Sequence, residues 1–356
     1  MSTVVLAVAG GHKTQSIVDA CQSDESKKVL VVGYTISSQE ELARRIHQGR
    51  VRTHAEVTGW FSFLMQHLIR PYLPLLYPGT HLTGLNFDGD PGRYATGLAR
   101  FMDHDGRAYK LHIAKLAYEV MKASQGAAMD RLGRIYEEIF IDEVQDLGGW
   151  DLEIIEALLT SPIQVTMVGD LRQALLDTEA RDPKNSGFRG EKLINWFLAM
   201  ENKNLLKIEH RPTTYRCNQA IAKFSDTIFE PTLGYQATQS ASSESHSHSG
   251  IFTVSEELAA QYQATFDALC LRHSVSSGRA LQLPFLNFGV AKGKTAPHVL
   301  IYPTQTIRTF LATRTPLDGR AACGLYIAVT RAQHSVAFVT NQPVQGLTDW
   351  HDDVRE

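Results

Sequence analysis

The segment Ile139–Leu147, with the sequence IFIDEVQDL, constrains the fold of this chain more than any other stretch. An apolar run ends at Ile141 and is followed directly by the carboxylates of Asp142 and Glu143. Such a run is typical of a buried parallel strand, and ligands bind beyond the carboxyl ends of these strands. One carboxylate there can hold Mg²⁺ through water, and the next can orient or deprotonate an attacking water. An acidic turn after a strand is the alternative.

The first residues of the chain have the pattern of a phosphate-binding loop. A predicted buried strand, Thr3–Ala9, precedes a glycine-rich turn, and a predicted helix over Gln15–Cys21 follows it. Backbone N–H groups and a helix N-terminus receive phosphate oxygens in such a loop, while its lysine reaches the β- and γ-phosphates and its hydroxyl takes Mg²⁺. The residues of this turn are Gly10, Gly11, His12, Lys13 and Thr14. A simple glycine turn is the alternative, because Ala7 and His12 occupy the two glycine positions of the general pattern.

Composition limits the class of protein. The chain has 356 residues, 43% hydrophobic and 21% charged, which suits a soluble globular protein with two sizeable α/β domains or one large one. The formal charge of -3 excludes a nucleic-acid binder that relies on bulk positive charge, so such binding needs a local basic groove. The four cysteines lack metal-ligand spacing, and the chain has neither a signal-peptide pattern nor a membrane-length apolar run. We therefore expect a reduced, cytoplasmic setting without a membrane.

Strand and helix patterns alternate in both halves of the chain, which predicts α/β architecture with parallel sheets. The second half contains a predicted helix over 256–273. The segment 236–249 is rich in serine and histidine, and its composition indicates a flexible surface loop. Two histidines of that segment, His246 and His248, offer either a metal site or an ordinary solvated turn.

Six segments occur in the order of the motifs of the UvrD/Rep-like superfamily 1 helicases, and the chain resembles that family from residue 3 to about 340. The most specific are IDEVQD and YIAVTRA; GDLRQ, TYRCN, the loop ending in Lys13-Thr14 and the weaker KGKT accompany them. The resemblance implies two RecA-like domains with ATP in the cleft between them. We expect the first at 1–204, with a helical insertion at about 60–130, the second at 205–345, and a frayed tail at 346–356.

The resemblance also implies a role for each matching residue on the ATP side. Lys13 and Thr14 would hold phosphate and Mg²⁺, Asp142 would complete the Mg²⁺ site, and Glu143 would be the base for water. The remaining assignments are Gln145 and Gln173 as sensors of the γ-phosphate, Tyr215 on the adenine, Arg216 on the γ-phosphate, Gly293 in the nucleotide-binding KGKT segment, and Arg331 as the arginine finger. This division suits phosphoryl transfer, which depends mainly on positioning and charge neutralisation. For each arginine, a surface salt bridge is the alternative.

Two segments match the family's single-strand-contacting parts of the first domain. They contain Tyr34 and Thr35, and then Thr58, Trp60 and Phe61. Hydroxyls would contact phosphates, and aromatic faces would stack on bases. The alternative for the aromatic residues is the hydrophobic core, because aromatic stripes on helices are usually buried.

The sequence departs from the family pattern in four ways. His12 replaces the glycine before the lysine, and Thr295 stands where the family has a ribose-binding glutamate. The family's glutamine-bearing adenine segment has no counterpart before the first strand. Residues 235–285 are too few for the usual large insertion in the second domain, which predicts weak unwinding by the isolated chain.

These patterns together predict an ATP- and Mg²⁺-dependent translocase or helicase on single-stranded DNA that works with a partner such as a nuclease. The compact form resembles the helicase-like subunits of bacterial anti-phage systems such as Gabija, which implies antiviral defence. A regulatory subunit that binds ATP and DNA, hydrolyses poorly and does not unwind is the alternative. A third, weaker interpretation is an unrelated P-loop kinase, against which the motifs after residue 205 argue.

Overall fold

The computed structural model describes residues 1–24, 26–48, 54–175, 183–242 and 246–351, which form two compact units. The first unit comprises Met1–Leu6, Lys13–Leu171 and Leu176–Glu209, and the second comprises Ala7–His12, Arg172–Leu175 and His210–Glu356. Each unit is built on a six-stranded sheet, and the strand pairs described within these sheets run parallel. The predicted fold class of two parallel-sheet α/β domains is therefore confirmed.

The first sheet has the strand order β3-β2-β6-β7-β1-β8. Its strands are β1 (Ser2–Ala7), β2 (Val29–Gly33), β3 (Ala55–Gly59), β6 (Glu138–Ile141), β7 (Gln164–Gly169) and β8 (Leu206–Arg211), and a separate small sheet pairs β4 (Gly84–Asn86) with β5 (Arg107–Tyr109). Strand β6 lies between β2 and β7, and all four of its residues are buried. The apolar run before Asp142 is thus an interior strand, as predicted.

Eight α-helices accompany the first sheet in the described residues. They are α1 (Lys13–Ser23), α2 (Ile36–His47), α3 (Trp60–Phe63), α4 (Leu73–Leu76), α5 (Ile113–Ala123), α6 (Ala127–Ile135), α7 (Asp151–Leu159) and α8 (Leu193–Asn202), with a π-helical stretch at Leu64–Ile69. Helix α5 buries Ile113, Leu116 and Val120 at a helical spacing, which gives the segment between β3 and β6 a core of its own. Residues 60–130 contain α3, α4, α5, the start of α6 and the small sheet of β4 and β5.

The second sheet has the order β13-β12-β14-β15-β11-β16. Its unit contains β9 (Thr213–Thr214), β10 (Gln239–Ser240), β11 (Gly250–Val254), β12 (Leu269–Arg272), β13 (Leu286–Asn287), β14 (Ala296–Tyr302), β15 (Ala332–Val339) and β16 (Thr348–Asp349). The helices are α9 (Gln219–Asp226), α10 (Ala259–Phe266), α11 (Gln305–Thr313) and α12 (Gly319–Val329). Helix α12 is apolar around most of its circumference and is buried from Ala322 to Val329. None of the helices in the described part of the chain has the length and apolar content needed to cross a bilayer.

The predicted helix over 256–273 is wrong in its second half. Helix α10 ends at Phe266, and Asp267 takes a left-handed φ of 47° that reverses the chain. Residues Leu269–Arg272 then form β12, which pairs with β13 and β14. Sheet pairing satisfies the backbone of this stretch, and Cys270 and Leu271 are buried in the hydrophobic clusters of the second unit.

The domain edges also differ from the expectation. Strand β8 adds to the first sheet beside β1, so that unit extends past residue 205. The expected tail at 346–356 begins with ordered residues, because β16 pairs with β11 and Trp350 is buried in a hydrophobic cluster of the second unit. Residues 352–356 lie outside the described part.

The segment 236–249 was expected to be a flexible loop, but its described residues are ordered in part. Strand β10 pairs with β9, and the ring of His248 stacks between Phe252 and Phe266, with centroid distances of 4.2 and 3.9 Å. This packing half-buries the His248 ring, so a fully solvated turn does not describe His248, whereas His246 is exposed. Residues 243–245 lie outside the described part.

Candidate nucleotide and nucleic-acid sites

Lys13 and Thr14 form the first turn of α1 in the first unit. Both side chains are half-buried, and α1 has 11 residues, so the dipole of this helix favours an anion at its N-terminus. Lys13 also lies near enough to Asp142 to lower the pKa of that carboxyl group. The structure therefore brings the predicted phosphate lysine and the predicted Mg²⁺ carboxylate into one electrostatic environment.

Asp142 lies immediately beyond β6 and is buried. Its carboxylate accepts a hydrogen bond from the Glu143 N–H at 2.9 Å and one from the Ser38 hydroxyl at 3.3 Å. Burial raises the pKa of Asp142, and the neighbouring charge of Glu143 raises it further. A carboxylate in this setting is stabilised by a nearby cation, and with the hydroxyl of Ser38 it offers the hard oxygen donors that Mg²⁺ prefers.

Ser38 was not singled out from the sequence. It lies in the first turn of α2, where the Thr35 hydroxyl accepts a hydrogen bond from the Ser38 N–H at 3.2 Å and caps the helix. The run Thr35-Ile36-Ser37-Ser38 after a buried strand is a recognisable helix start. Only the parallel pairing of β2 with β6 places that start beside Asp142.

Glu143 has a left-handed backbone with φ of 55°, which is an uncommon conformation for a residue with a side chain. The amide nitrogen of Gln145 donates to the Glu143 carboxylate, and the Gln145 Oε1 accepts from the Asp170 N–H at 3.0 Å. Gln145 therefore links the residues that follow β6 to those that follow β7. Gly169 leaves room for this link, since a Cβ there would lie 2.5 Å from the Gln145 Oε1.

In the second unit, Ala7–His12 pack against the segment TYRCN. The Tyr215 N–H donates to the Gly10 carbonyl at 3.0 Å, and the Thr214 hydroxyl donates to the Ala9 carbonyl at 2.7 Å. Gly10 has φ of 74°, and a Cβ at this position would come within 2.6 Å of the Arg216 Cβ. The close approach of these two segments requires glycine at position 10.

His12 has a left-handed φ of 56°, at the position where the phosphate-loop pattern has glycine. Its ring stacks on Tyr215 with a centroid distance of 3.9 Å and an interplanar angle of 7°. Gly11 is buried next to it, and its N–H donates to the Val8 carbonyl at 2.9 Å. His12 thus adopts the backbone conformation that the pattern predicts. A histidine in this left-handed conformation has a steric penalty that glycine would not have.

Arg331 and Gln173 lie together in the second unit. Arg331 is 2% exposed, and its guanidinium donates to the carbonyls of Ile327 at 3.0 Å and Lys294 at 3.2 Å and to the Gln173 Oε1 at 3.4 Å. Arg216 is half-buried and donates to the Thr330 carbonyl at 3.1 Å. The surface-salt-bridge interpretation of Arg331 does not agree with this burial.

Gly293 lies in the loop before β14 and has φ of 88°, which favours glycine. A Cβ at Gly293 would meet no atom of the described residues within 4 Å. Its place next to Lys294, whose carbonyl Arg331 binds, puts the KGKT segment beside the arginine expected to act on phosphate.

The five residues predicted to contact DNA separate into two groups. Trp60 is 1% exposed, and its Nε1 donates to the Asp151 carboxylate at 2.7 Å; Thr58 is also buried. These two belong to the core, which corrects the prediction that they contact DNA. Tyr34, Thr35 and Phe61 are only partly buried and keep surface for a ligand.

Three solved helicase structures are similar to this chain at low sequence identity. The PRRSV helicase is 13% identical with a TM-score of 0.45, and the match covers 95% of this chain and 52% of that one. The Arterivirus nonstructural protein 10 helicase is 15% identical with a TM-score of 0.47, covering 95% and 59%. Its complex with DNA is 14% identical with a TM-score of 0.47, covering 96% and 61%. This chain therefore spans less than two thirds of the length of these proteins.

No curated protein matches this chain. A family model does match part of it, and the matched part contains β6, the acidic pair Asp142 and Glu143, and both Gln145 and Gln173. Residues 90–177 match the family described as the UvrD/REP helicase N-terminal domain.

Proposed function

We propose that this chain is an ATP-dependent translocase or helicase that acts on single-stranded DNA. The acidic pair at the end of β6 carries the proposal: Asp142 is buried within the electrostatic reach of Lys13, and Glu143 is held by Gln145. A cation-binding carboxylate next to a positioned base, beside a helix N-terminus that favours phosphate, is the arrangement needed for metal-assisted phosphoryl transfer to water. The family match over residues 90–177 supports the same class.

In the first unit we assign Lys13 and Thr14 to phosphate and Mg²⁺, and Asp142 with Ser38 to the Mg²⁺ site. Bound Mg²⁺ would neutralise charge on the phosphate oxygens. Glu143 would orient the attacking water and accept its proton. Gln145, which touches both the Glu143 side chain and the Asp170 backbone, would hold that base in place and transmit its position to the residues after β7.

In the second unit we assign Tyr215 to the adenine ring and Arg216 and Arg331 to the phosphate charge. Arginine suits this role because its planar guanidinium donates in a fixed geometry and stays charged. Arg331 donates a hydrogen bond of 3.4 Å to the Gln173 side chain. A change in the position of either side chain would therefore alter the position of the other. Hydrolysis and movement along a strand would be coupled through such contacts.

We further propose that a partner protein, such as a nuclease, works with this chain in the cytoplasm, in a role like that of the helicase-like subunits of anti-phage systems. Residues 235–285 of the second unit are too few for a large inserted domain, which favours help from another protein on long duplexes. This is the reason for expecting weak unwinding by the chain alone.

The test is ATP hydrolysis by the purified chain with and without a single-stranded oligonucleotide. We expect magnesium-dependent hydrolysis that single-stranded DNA stimulates, and its loss in Glu143→Gln. Glu153→Gln, at a half-buried carboxylate of α7 that pairs with Lys184, is the matched control and should keep the parental rate. No hydrolysis above the Glu143→Gln background, with or without DNA, would exclude the proposal.

A regulatory subunit that binds nucleotide but hydrolyses it poorly is the second candidate. The stacking of His12 on Tyr215 favours it, because the aromatic ring assigned to adenine already has a partner on one face. Detectable ATP binding with turnover no faster than that of Glu143→Gln would select this candidate over the first.

A further inference from the structure

Phe87 is a large apolar side chain on the surface of the first unit, and it is 62% exposed. It directly follows β4, which runs parallel to β5 with Asn86 opposite Tyr109. The next residue after each strand is Phe87 on one and Lys110 on the other. The small sheet therefore delivers an aromatic ring and a cation side by side.

These two residues extend a row of rings that begins at the DNA-contact segments. The Tyr34 and Phe61 rings have centroids 6.2 Å apart, and the Phe61 and Phe87 rings have centroids 6.3 Å apart at an interplanar angle of 88°. The Lys110 ammonium lies 5.9 Å from the centroid of Phe61 and 5.9 Å from that of Phe87. We call Tyr34, Phe61, Phe87 and Lys110 the aromatic row.

A hydrogen-bond network fixes the outer end of the aromatic row. The Asn86 amide donates to the Asp103 carboxylate at 2.8 Å and accepts from the Gly89 N–H at 2.8 Å. The Arg107 guanidinium donates to Asp103 at 3.0 Å. Since Asn86 precedes Phe87, this network holds the Phe87 backbone in one place, so ordering an exposed ring costs less entropy when a ligand binds.

We propose that Phe87 and Lys110 form an additional binding site for single-stranded DNA, with bases stacked on the Phe87 ring and backbone phosphate near Lys110. The inference rests on the proposed function and extends the nucleic-acid path from Tyr34 and Phe61 onto the insertion. Neither residue lies in a segment with a family motif. Exposed rings interleaved with a cation suit a flexible polyanion with aromatic bases, because stacking is sequence-tolerant and the ammonium attracts phosphate.

The charge of the aromatic row favours an anionic ligand. In the part of the chain that the structure describes, Lys110 has aromatic contacts and no carboxylate within ion-pair distance. Two acidic side chains of the adjoining network, Asp103 and Asp105, are both bound by Arg107. Positive charge at Lys110 therefore remains for a ligand despite the net charge of -3 of the whole chain.

The test uses the full chain and a fluorescent oligothymidylate of about 20 nucleotides. We expect Phe87→Ala to weaken binding by about tenfold, since loss of one stacking ring costs roughly that much. Tyr94→Ala is the matched control: Tyr94 lies on the same insertion, is 84% exposed and has Arg93 5.6 Å from its ring, but it is outside the aromatic row. Both variants should keep the parental thermal unfolding temperature and the ATPase rate without DNA.

Two further variants test the geometry. Phe87→Trp should bind DNA like the parent and show quenched tryptophan emission on binding relative to the parent, whereas Tyr94→Trp should not. Lys110→Gln should lower the slope of log affinity against log salt concentration by about 0.7, the value for one phosphate contact on a single strand. Equal DNA affinities for the parent and Phe87→Ala, with the parent binding DNA, would overturn this inference and leave the proposed function standing. A parent chain that hydrolyses no ATP and binds no DNA would overturn both.

Discussion

The imidazole of His12 lies flat against the phenol ring of Tyr215, with centroids 3.9 Å apart and planes 7° apart. His12 reaches this position through a left-handed backbone, and Tyr215 keeps about half of its surface exposed. The ring assigned to adenine therefore already has a stacking partner on one face.

This contact predicts the effect of His12→Gly on nucleotide binding. We expect tighter ATP binding by about fivefold or more, because the change removes the ring that covers one face of Tyr215. Isothermal titration with a non-hydrolysable ATP analogue measures it. His12→Ala removes the ring but keeps the strain, so the difference between the two variants separates stacking from backbone. Unchanged affinity in both would mean that the ring does not compete with nucleotide.

Glu143→Gln should preserve ATP binding and reduce turnover by about a hundredfold or more, which is the usual contribution of a general base. The glutamine keeps an oxygen that can accept from the Gln145 amide, so the local structure should survive. Steady-state ATPase rates and nucleotide affinity together check this. If the variant hydrolysed ATP at the parental rate, Glu143 would not be the catalytic base.

Arg331→Lys should slow hydrolysis by about 10³-fold, as loss of an arginine finger does in other phosphoryl-transfer enzymes. Arg331 is buried and binds two carbonyls and Gln173, so its removal also threatens the fold. Lysine keeps the charge and the aliphatic stem, which makes it the better test than alanine. The rate is to be compared at matched thermal stability. A stable variant with parental turnover would make Arg331 a structural residue.

Trp60→Phe should destabilise the chain without weakening DNA binding. The substitution removes the hydrogen bond from the Trp60 indole to the buried Asp151, at an expected cost of about 1–3 kcal/mol in the free energy of unfolding. Urea denaturation and oligonucleotide affinity measure the two quantities. Weaker DNA binding at an unchanged free energy of unfolding would indicate that Trp60 contacts DNA.

The second unit should lose stability in mild acid. Burial, together with neighbouring histidines, lowers the pKa of His298 and of His248 to about 4. The unfolded chain binds these protons near pH 6.5, whereas the folded chain binds them only near pH 4. The free energy of unfolding should therefore fall as pH decreases from about 6.5 to about 4.

Thermal unfolding of the parent and of His298→Gln between pH 7.5 and 4.5 checks this. The glutamine does not titrate, so the variant should lose less stability over that interval than the parent. His104→Gln, on an exposed loop of the first unit, is the control and should behave like the parent. An equal loss of thermal stability with falling pH in the parent and in His298→Gln would contradict the attribution of the acid sensitivity to His298.

Much of the chemistry was predictable because it is local in the sequence. A run of apolar residues that ends in Asp142 and Glu143 is an interior strand wherever the sheet forms, and its carboxylates must emerge at its end. The turn from Gly10 to Thr14 likewise needs a particular backbone whatever surrounds it. His12 adopts the left-handed conformation that the loop pattern requires, although the residue is not glycine.

Other features depend on contacts between residues far apart in the sequence. An exposed and a buried aromatic residue look alike in a sequence, and only the packing against Asp151 separates Trp60 from Phe61. The sequence predicts a helix through residues 269–272, but pairing with β13 and β14 stabilises a strand instead. Phe87 and Lys110 are 23 residues apart by their numbering and become neighbours through the register of β4 and β5. The sequence by itself determined which residue types carry charge and phosphate chemistry, while tertiary pairing decided which of them meet, because strand register and burial arise from the whole chain.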